Sequence, residues 1–223
     1  MKVMPTRDMR EDPFLSLNGA VNYMAAKDAS RREKILQGFK YPEPEGKAMA
    51  GYYNPARSVI HDFHRNGNTL SIIERGIELL ELRLKGATEA KTTKLDNNIR
   101  ALVHYSRFFS DKQFRPMAFE PASVVCEGVR LSLHPDMYAT EGKHTRLIRY
   151  AFGRDGADRD ELNYSVQFLH YLGRQLNLDV ALSDCMLLIV ADGSIHKSSG
   201  VMKSFEARLT AAMREVRRSW SSL

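Results

Sequence analysis

The sequence GVRLSLHPDMYATEGKHTRLIRYAFGRDGADRDELNYSVQFLHY, residues 128–171, contains the patterns from which the fold is predicted. Apolar and polar residues alternate from 129 to 134, which is the two-residue period of a half-buried strand. Residues 141–143, Glu-Gly-Lys, have the composition of a turn, and a second strand is predicted over about 145–152. This order predicts a β-hairpin that carries the dipeptide Pro135-Asp136, with one acid near the middle of a small sheet.

A helical pattern follows the hairpin. Asp158 or Asp160 can cap it, because a side-chain carboxylate accepts hydrogen bonds from the first backbone N–H groups of a helix. Gln167 and Tyr171 lie on a flank of the apolar stripe, since residues three and four apart are neighbours on a helix. The stripe consists of Leu162, Val166, Leu169, Leu172 and Leu176.

The order strand, Pro-Asp, strand and helix with Gln-x-x-x-Tyr resembles the PD-(D/E)XK nuclease superfamily, specifically its RecB-like branch, over about residues 116–197. In that family the Pro-Asp acid, with a second acid two residues before a lysine on the next strand, holds a divalent metal. The Gln-x-x-x-Tyr motif marks the helix packed beside them. The resemblance therefore implies Asp136, Gln167 and Tyr171 as site residues.

The chain departs from this family pattern at its centre. Arg149 stands where the second acid belongs, and Ala151 stands where the lysine belongs. A fixed guanidinium about 5 Å from a divalent ion repels it by several kcal/mol at an effective dielectric near 20, enough to offset weak metal binding. We therefore expect a catalytically degenerate site, an Asp136–Arg149 salt bridge across the hairpin, no cofactor and no metal ligand.

The remaining patterns predict the architecture. Residues 185–190 form a continuous apolar run, typical of a strand covered on both faces, and Asp192-Gly193 predicts a hairpin into an edge strand. The predicted fold class is α+β, a small mixed β-sheet (meander plus central strand) flanked by helices and preceded by an all-helical N-terminal half. The predicted division is a helical N-terminal region at 1–110 and a nuclease-like α/β core with a basic C-terminal helix at 111–223.

Length and composition exclude several classes of protein. The 223 residues are 43% apolar, which supports an ordinary core. The longest apolar run is far short of the roughly 20 residues that span a bilayer, and the first fifteen residues have no signal-peptide pattern, so we expect a cytoplasmic protein without a membrane partner. Cys126 and Cys185 lack metal-site spacing and are expected to be buried thiols in a reducing compartment.

The charge balance makes nucleic acid a plausible partner. The chain carries 33 basic and 27 acidic residues, a net charge of +6, which attracts phosphate backbones. A solvated helix face is the alternative explanation for the basic helices, and the apolar stripe of the last helix indicates that it docks on the domain. The candidate nucleic-acid contacts are Arg31, Arg32, Lys34, Lys143, Arg146, Arg149, Arg217 and Arg218.

Three functions fit the sequence. The first is a degenerate PD-(D/E)XK-like protein that binds DNA or acts within a nucleic-acid-processing or defence complex. The second is an active nuclease that uses Mg²⁺ at Asp136, with Lys143 or Arg146 on the phosphate and a second carboxylate from Glu120, Glu127, Asp155, Asp158 or Glu161. The third is a scaffold that binds an acidic protein partner. His61 could join a metal site in the resembling family, but a surface or half-buried histidine is the favoured interpretation.

Overall fold

The computed structural model describes residues 9–42, 51–153, 158–198 and 200–223, and within them seven α-helices accompany two mixed sheets. Apolar faces at helical spacing define the helices, which are α1 Leu17–Ala25, α2 Ala29–Lys40, α3 Asn54–Arg65, α4 Leu70–Leu84, α5 Glu89–Phe109, α6 Arg159–Gln175 and α7 Phe205–Ser222. Polar residues directly before three of them are N-caps: the Ser16, Asp28 and Asp158 side chains accept hydrogen bonds from the first turns of α1, α2 and α6.

The strands form one three-stranded and one five-stranded sheet. The strands are β1 Phe14–Ser16, β2 Arg115–Pro116, β3 Ala122–Cys126, β4 Val129–Leu133, β5 Met137–Glu141, β6 His144–Ala151, β7 Cys185–Ile189 and β8 Ser194–His196. The smaller sheet has the order β1-β4-β3 and the larger sheet the order β2-β5-β6-β7-β8. Strand β1 is parallel to β4, β6 is parallel to β7, and the other pairs are antiparallel.

The predicted α+β class is confirmed, with a largely helical N-terminal half, but the single meander is wrong. The strand that begins at Val129 ends at Leu133, and a separate strand, β5, forms the hairpin with β6. Pro135 lies between them, and it has no N–H to donate to a sheet ladder. The chain therefore leaves the small sheet at this point and enters the large one, and Pro135-Asp136 is the junction.

The five-stranded sheet is covered on both faces. Leu147 and Leu187 point into one hydrophobic core with α1, α6 and α7, whereas Ile148 and Leu188 point into a second core with α3 and α5. This alternation confirms the doubly covered strand predicted at 185–190. Each core draws on residues from both sides of the boundary predicted at 110, so the two regions share their packing; their division into domains stays a prediction.

The last helix docks as predicted. Its apolar stripe is buried, and the basic residues Arg217 and Arg218 on its other side are exposed. In the part of the chain that the structure describes, none of the helices is long and apolar enough to cross a membrane. The buried residues of the stripe are Phe205, Leu209, Met213, Val216 and Trp220.

The second core contains a buried histidine with a pH-dependent effect on stability. His64 is 2% exposed; its Nδ1 lies 2.8 Å from Asn68 Oδ1 and its Nε2 lies 2.6 Å from the Tyr105 hydroxyl. Burial lowers the pKa of His64 from 6.5 to about 4. Folded His64 therefore stays neutral at a pH where the unfolded chain binds a proton.

We expect the free energy of unfolding to fall by about 3 kcal/mol as the pH decreases from about 6.5 to about 4, because the unfolded state binds more protons in that window. The stabilisation is complete above the unfolded pKa and is lost as the pH falls toward the folded one. Urea denaturation at several pH values measures this slope. His64→Gln should remove most of it, and an unchanged slope in that variant would contradict the assignment.

Candidate functional site

Asp136 lies at the junction of the two sheets, directly before β5, with its side chain 9% exposed. Its Oδ2 accepts a hydrogen bond of 2.7 Å from the backbone N–H of Tyr150. Its Oδ1 accepts a hydrogen bond from Nε of Arg57, and Nε of Arg149 lies 4.0 Å from Oδ2. The salt bridge predicted between Asp136 and Arg149 is therefore confirmed, and a second arginine shares the carboxylate.

Strand register and helix packing bring these groups together. Met137 pairs with Ile148 in the β5–β6 hairpin, so Asp136 and Arg149 lie at the next position along the ladder. Arg57 comes from the first turns of α3, and its guanidinium also lies 5.4 Å from the centre of the Phe152 ring. Arg57 could not be identified from local sequence patterns, because its place depends on how α3 packs across the sheet.

Asp136, Arg57 and Arg149 together carry excess positive charge, and water reaches their side chains only in part. The Arg149 side chain is 10% exposed and the Arg57 side chain 28%. Burial lowers the pKa of Arg149, Asp136 opposes that shift and Arg57 adds to it. Two guanidiniums and one carboxylate leave a net charge of +1, which favours an anion as the next partner.

A cleft of about 210 Å³ opens beside this group. Its floor is the end of β6, and α1, α3 and α6 form its walls. Tyr53 and Phe152 stack with ring centres 4.6 Å apart. Glu161 stands on the α6 wall, bonded to Arg31 at 3.3 Å. The lining residues are Asn18, Val21, Asn22, Tyr53, Arg57, Arg149, Tyr150, Ala151, Phe152, Glu161, Leu162, Ser165 and Leu187.

Gln167 and Tyr171 are absent from this lining in the described ranges. The Gln167 side-chain amide donates 2.9 Å hydrogen bonds to Ser198 Oγ and to the Gly200 carbonyl, and the Tyr171 ring packs 6.1 Å from that of Phe205. At 3.6 residues per turn, they lie about 200° and about 240° around α6 from Ser165, which faces the cleft. These two residues thus connect α6 to Ser198 and Gly200 and to α7.

The eight basic candidates divide into three groups. Arg149 lines the cleft. Three others form ion pairs with acidic neighbours. Arg31 pairs with Glu161 at 3.3 Å and Arg32 with Glu215 at 3.3 Å. Arg146 pairs with Glu141 at 3.0 Å and also with Asp184. The other four, Lys34, Lys143, Arg217 and Arg218, are exposed and have no ion pair among the residues that the structure describes.

Of the five candidates for a second carboxylate, only Glu161 borders the cleft within the described residues, and it is already paired with Arg31. Glu127 pairs with Arg214 at 3.0 Å and Asp158 with Lys27 at 3.0 Å; Glu120 is exposed, and Asp155 lies outside the described residues. His61 is half-buried, as expected. Over these same ranges, no three His, Cys, Asp or Glu side chains come together as a metal site would need.

No protein-family model and no curated protein matches this chain. Guanidinium groups donate in a planar fork that fits phosphate or carboxylate oxygens. Both oxygens of Asp136 already accept hydrogen bonds or face a cation, so the carboxylate serves to position the two arginines.

Proposed function

We propose that this chain is a catalytically degenerate PD-(D/E)XK-like protein of the RecB-like kind, which binds nucleic acid without cutting it and acts in the cytoplasm within a nucleic-acid-processing or defence complex. The observation that carries the proposal is the pairing of Asp136 with Arg57 and Arg149. In the resembling family the equivalent acid holds a metal ion. Here two cations take the place of that ion.

The order of elements supports the same interpretation. The Pro-Asp dipeptide precedes β5, the strand after it carries Arg149 and Ala151, and α6 connects that strand to its parallel neighbour β7. A hard cation such as Mg²⁺ needs carboxylate oxygens together with water and substrate phosphate. The two guanidiniums repel such an ion and attract the phosphate, which changes the site from cleavage to binding.

The surface charge and the thiols fit this proposal. Exposed Lys34, Arg217 and Arg218 add to the net charge of +6 and are available for phosphate contacts. Cys126 and Cys185 are both free and buried, as expected for a protein in a reducing compartment.

We expect a short fluorescent single-stranded oligonucleotide to bind the full chain with an affinity that falls about seven- to twentyfold between 50 and 200 mM salt, as two or three phosphate contacts with counterion release require. Fluorescence anisotropy measures this. The same mixtures, incubated with Mg²⁺ or Mn²⁺, should show intact nucleic acid on a gel.

Either of two results would contradict the proposal and favour another function. Absence of binding at low salt would favour an acidic protein partner for the basic surface. Metal-dependent cleavage that Asp136→Asn abolishes would favour the active nuclease. A surface variant, Asp111→Asn, is the control for this second result, because the Asp111 side chain is 74% exposed and does not border the cleft.

A further inference from the structure

The two arginines at the cleft offer more hydrogen-bond donors than the Asp136 carboxylate uses, and the Glu161 carboxylate on the α6 wall is paired with Arg31. Each guanidinium has five N–H groups in a fixed fork. Arg57 and Arg149 approach Asp136 through Nε, and their terminal NH₂ groups make no hydrogen bond within the part of the chain that the structure describes. These donors of Arg57 and Arg149 therefore lie on the wall of the cleft where these two residues and Asp136 give a net charge of +1.

The opposite wall adds neutral donors. Asn18 and Asn22 are four residues apart on α1, so they share one face of that helix, and both line the cleft. Their side-chain amides are exposed and have no hydrogen-bond partner among the described residues. Donors therefore converge on the cleft from α1 on one side and from α3 and β6 on the other.

The size and shape of the cleft favour a small, terminal group. Its volume of about 210 Å³ is below the roughly 300–1,000 Å³ of sites for drug-sized ligands. Residues of three helices, α1, α3 and α6, line the cleft beside the end of β6. A phosphomonoester has three terminal oxygens and a charge of about −1.5 to −2, whereas an internal phosphodiester has two such oxygens.

We propose that this cleft binds a phosphomonoester, the terminal phosphate of a nucleic-acid strand, through Arg57 and Arg149 on one wall and Asn18 and Asn22 on the other. The inference rests on the proposed function, because it names the part of the nucleic acid that the degenerate site recognises. The stacked Tyr53–Phe152 pair forms the side of the cleft next to the terminal nucleotide.

Three short oligonucleotides of one sequence test this, one with a 5′-phosphate, one with a 3′-phosphate and one with neither. We expect one phosphorylated form to bind the full chain about tenfold or more tightly than the unphosphorylated form, as charge-assisted hydrogen bonds provide. Adenosine monophosphate should compete with it. Binding is measured by anisotropy at constant salt.

Two variants connect this preference to the cleft. Asn18→Ala/Asn22→Ala removes donors from an exposed helix face and introduces the best helix former, so the protein keeps its fold; the preference should shrink several-fold. Arg57→Gln should abolish it. Arg100→Gln is the matched control, since Arg100 is exposed and lines a neighbouring depression, on the other side of Tyr53 and Phe152. This variant should prefer the phosphorylated oligonucleotide as strongly as the wild type does.

The outcomes separate the inference from the proposed function. Equal binding of the three oligonucleotides overturns the inference and leaves nucleic-acid binding standing. If none of them binds at low salt, the proposed function fails. The melting temperature of the wild type is then measured with adenosine monophosphate and with inorganic phosphate. If either raises it, and the double asparagine variant loses this stabilisation, the cleft is a site for a free phosphomonoester. Absence of that stabilisation as well overturns both.

Discussion

Replacing Asp136 by asparagine is expected to lower the free energy of unfolding by about 3–5 kcal/mol, because it removes the one carboxylate that, among the described residues, pairs with the buried Arg149 guanidinium. Arg149 is 10% exposed and lies 4.0 Å from this carboxylate. The asparagine amide can still accept a hydrogen bond from Tyr150, so the loss comes from the charge. Urea denaturation at neutral pH measures the difference.

The matched control and a compensating variant make this test specific. Asp111→Asn makes the same chemical change at a side chain that is 74% exposed, and it should stay within about 0.5 kcal/mol of the wild type. Asp136→Asn/Arg149→Met should recover most of the lost stability, since replacing both members of a buried ion pair by uncharged groups is often neutral or stabilising. In a working metal-binding acid cluster without its ion, removing one carboxylate would relieve repulsion and stabilise the fold, which is the opposite sign.

The second large effect is expected for Trp220→Ala, about 3–5 kcal/mol of lost stability. Trp220 is 3% exposed; its indole N–H donates to the backbone carbonyls of Arg10 and Glu11, at 3.2 and 3.1 Å, and its own carbonyl accepts a 2.6 Å hydrogen bond from buried Lys40. The Trp220 side chain thus joins the last helix to the segment before β1, and the Trp220 backbone carbonyl joins that helix to α2.

The measurement is again denaturation by urea, with Leu82→Ala as the control. Leu82 is 59% exposed, and alanine is the better helix former, so that variant should lose little stability. A change below about 1 kcal/mol for Trp220→Ala would contradict the docking of α7, and Arg217 and Arg218 would then belong to an arm that moves independently of the domain.

Local patterns in the sequence predicted the parts of this structure that depend on local chemistry. The apolar run at 185–190 is a strand covered on both faces, the stripe of the last helix is buried, and Asp136 pairs with Arg149. These three features follow from periodicity and from short-range register. The turn of a hairpin fixes which residues of its two strands face each other, and here the turn lies at Gly142, which has a φ of +59°.

Features that depend on distant contacts were missed. Strand β1 has only three residues, and it is defined by parallel pairing with β4, more than 100 positions away. Arg57 reaches Asp136 across 79 positions of sequence. A motif such as Gln-x-x-x-Tyr places Gln167 and Tyr171 on one side of a helix, but the rotation of α6 against the sheet decides which surface that side meets.

A calorimetric titration of the full chain with Mn²⁺, repeated with Asp136→Asn, distinguishes a carboxylate that positions arginines from one that binds a metal ion. If the Asp136 carboxylate positions Arg57 and Arg149, the wild type and the variant should give the same heats, with no metal site that depends on this residue. A binding isotherm in the wild type that disappears in Asp136→Asn, while circular dichroism shows that the variant is still folded at the titration temperature, would contradict this role and would make the acid a metal ligand.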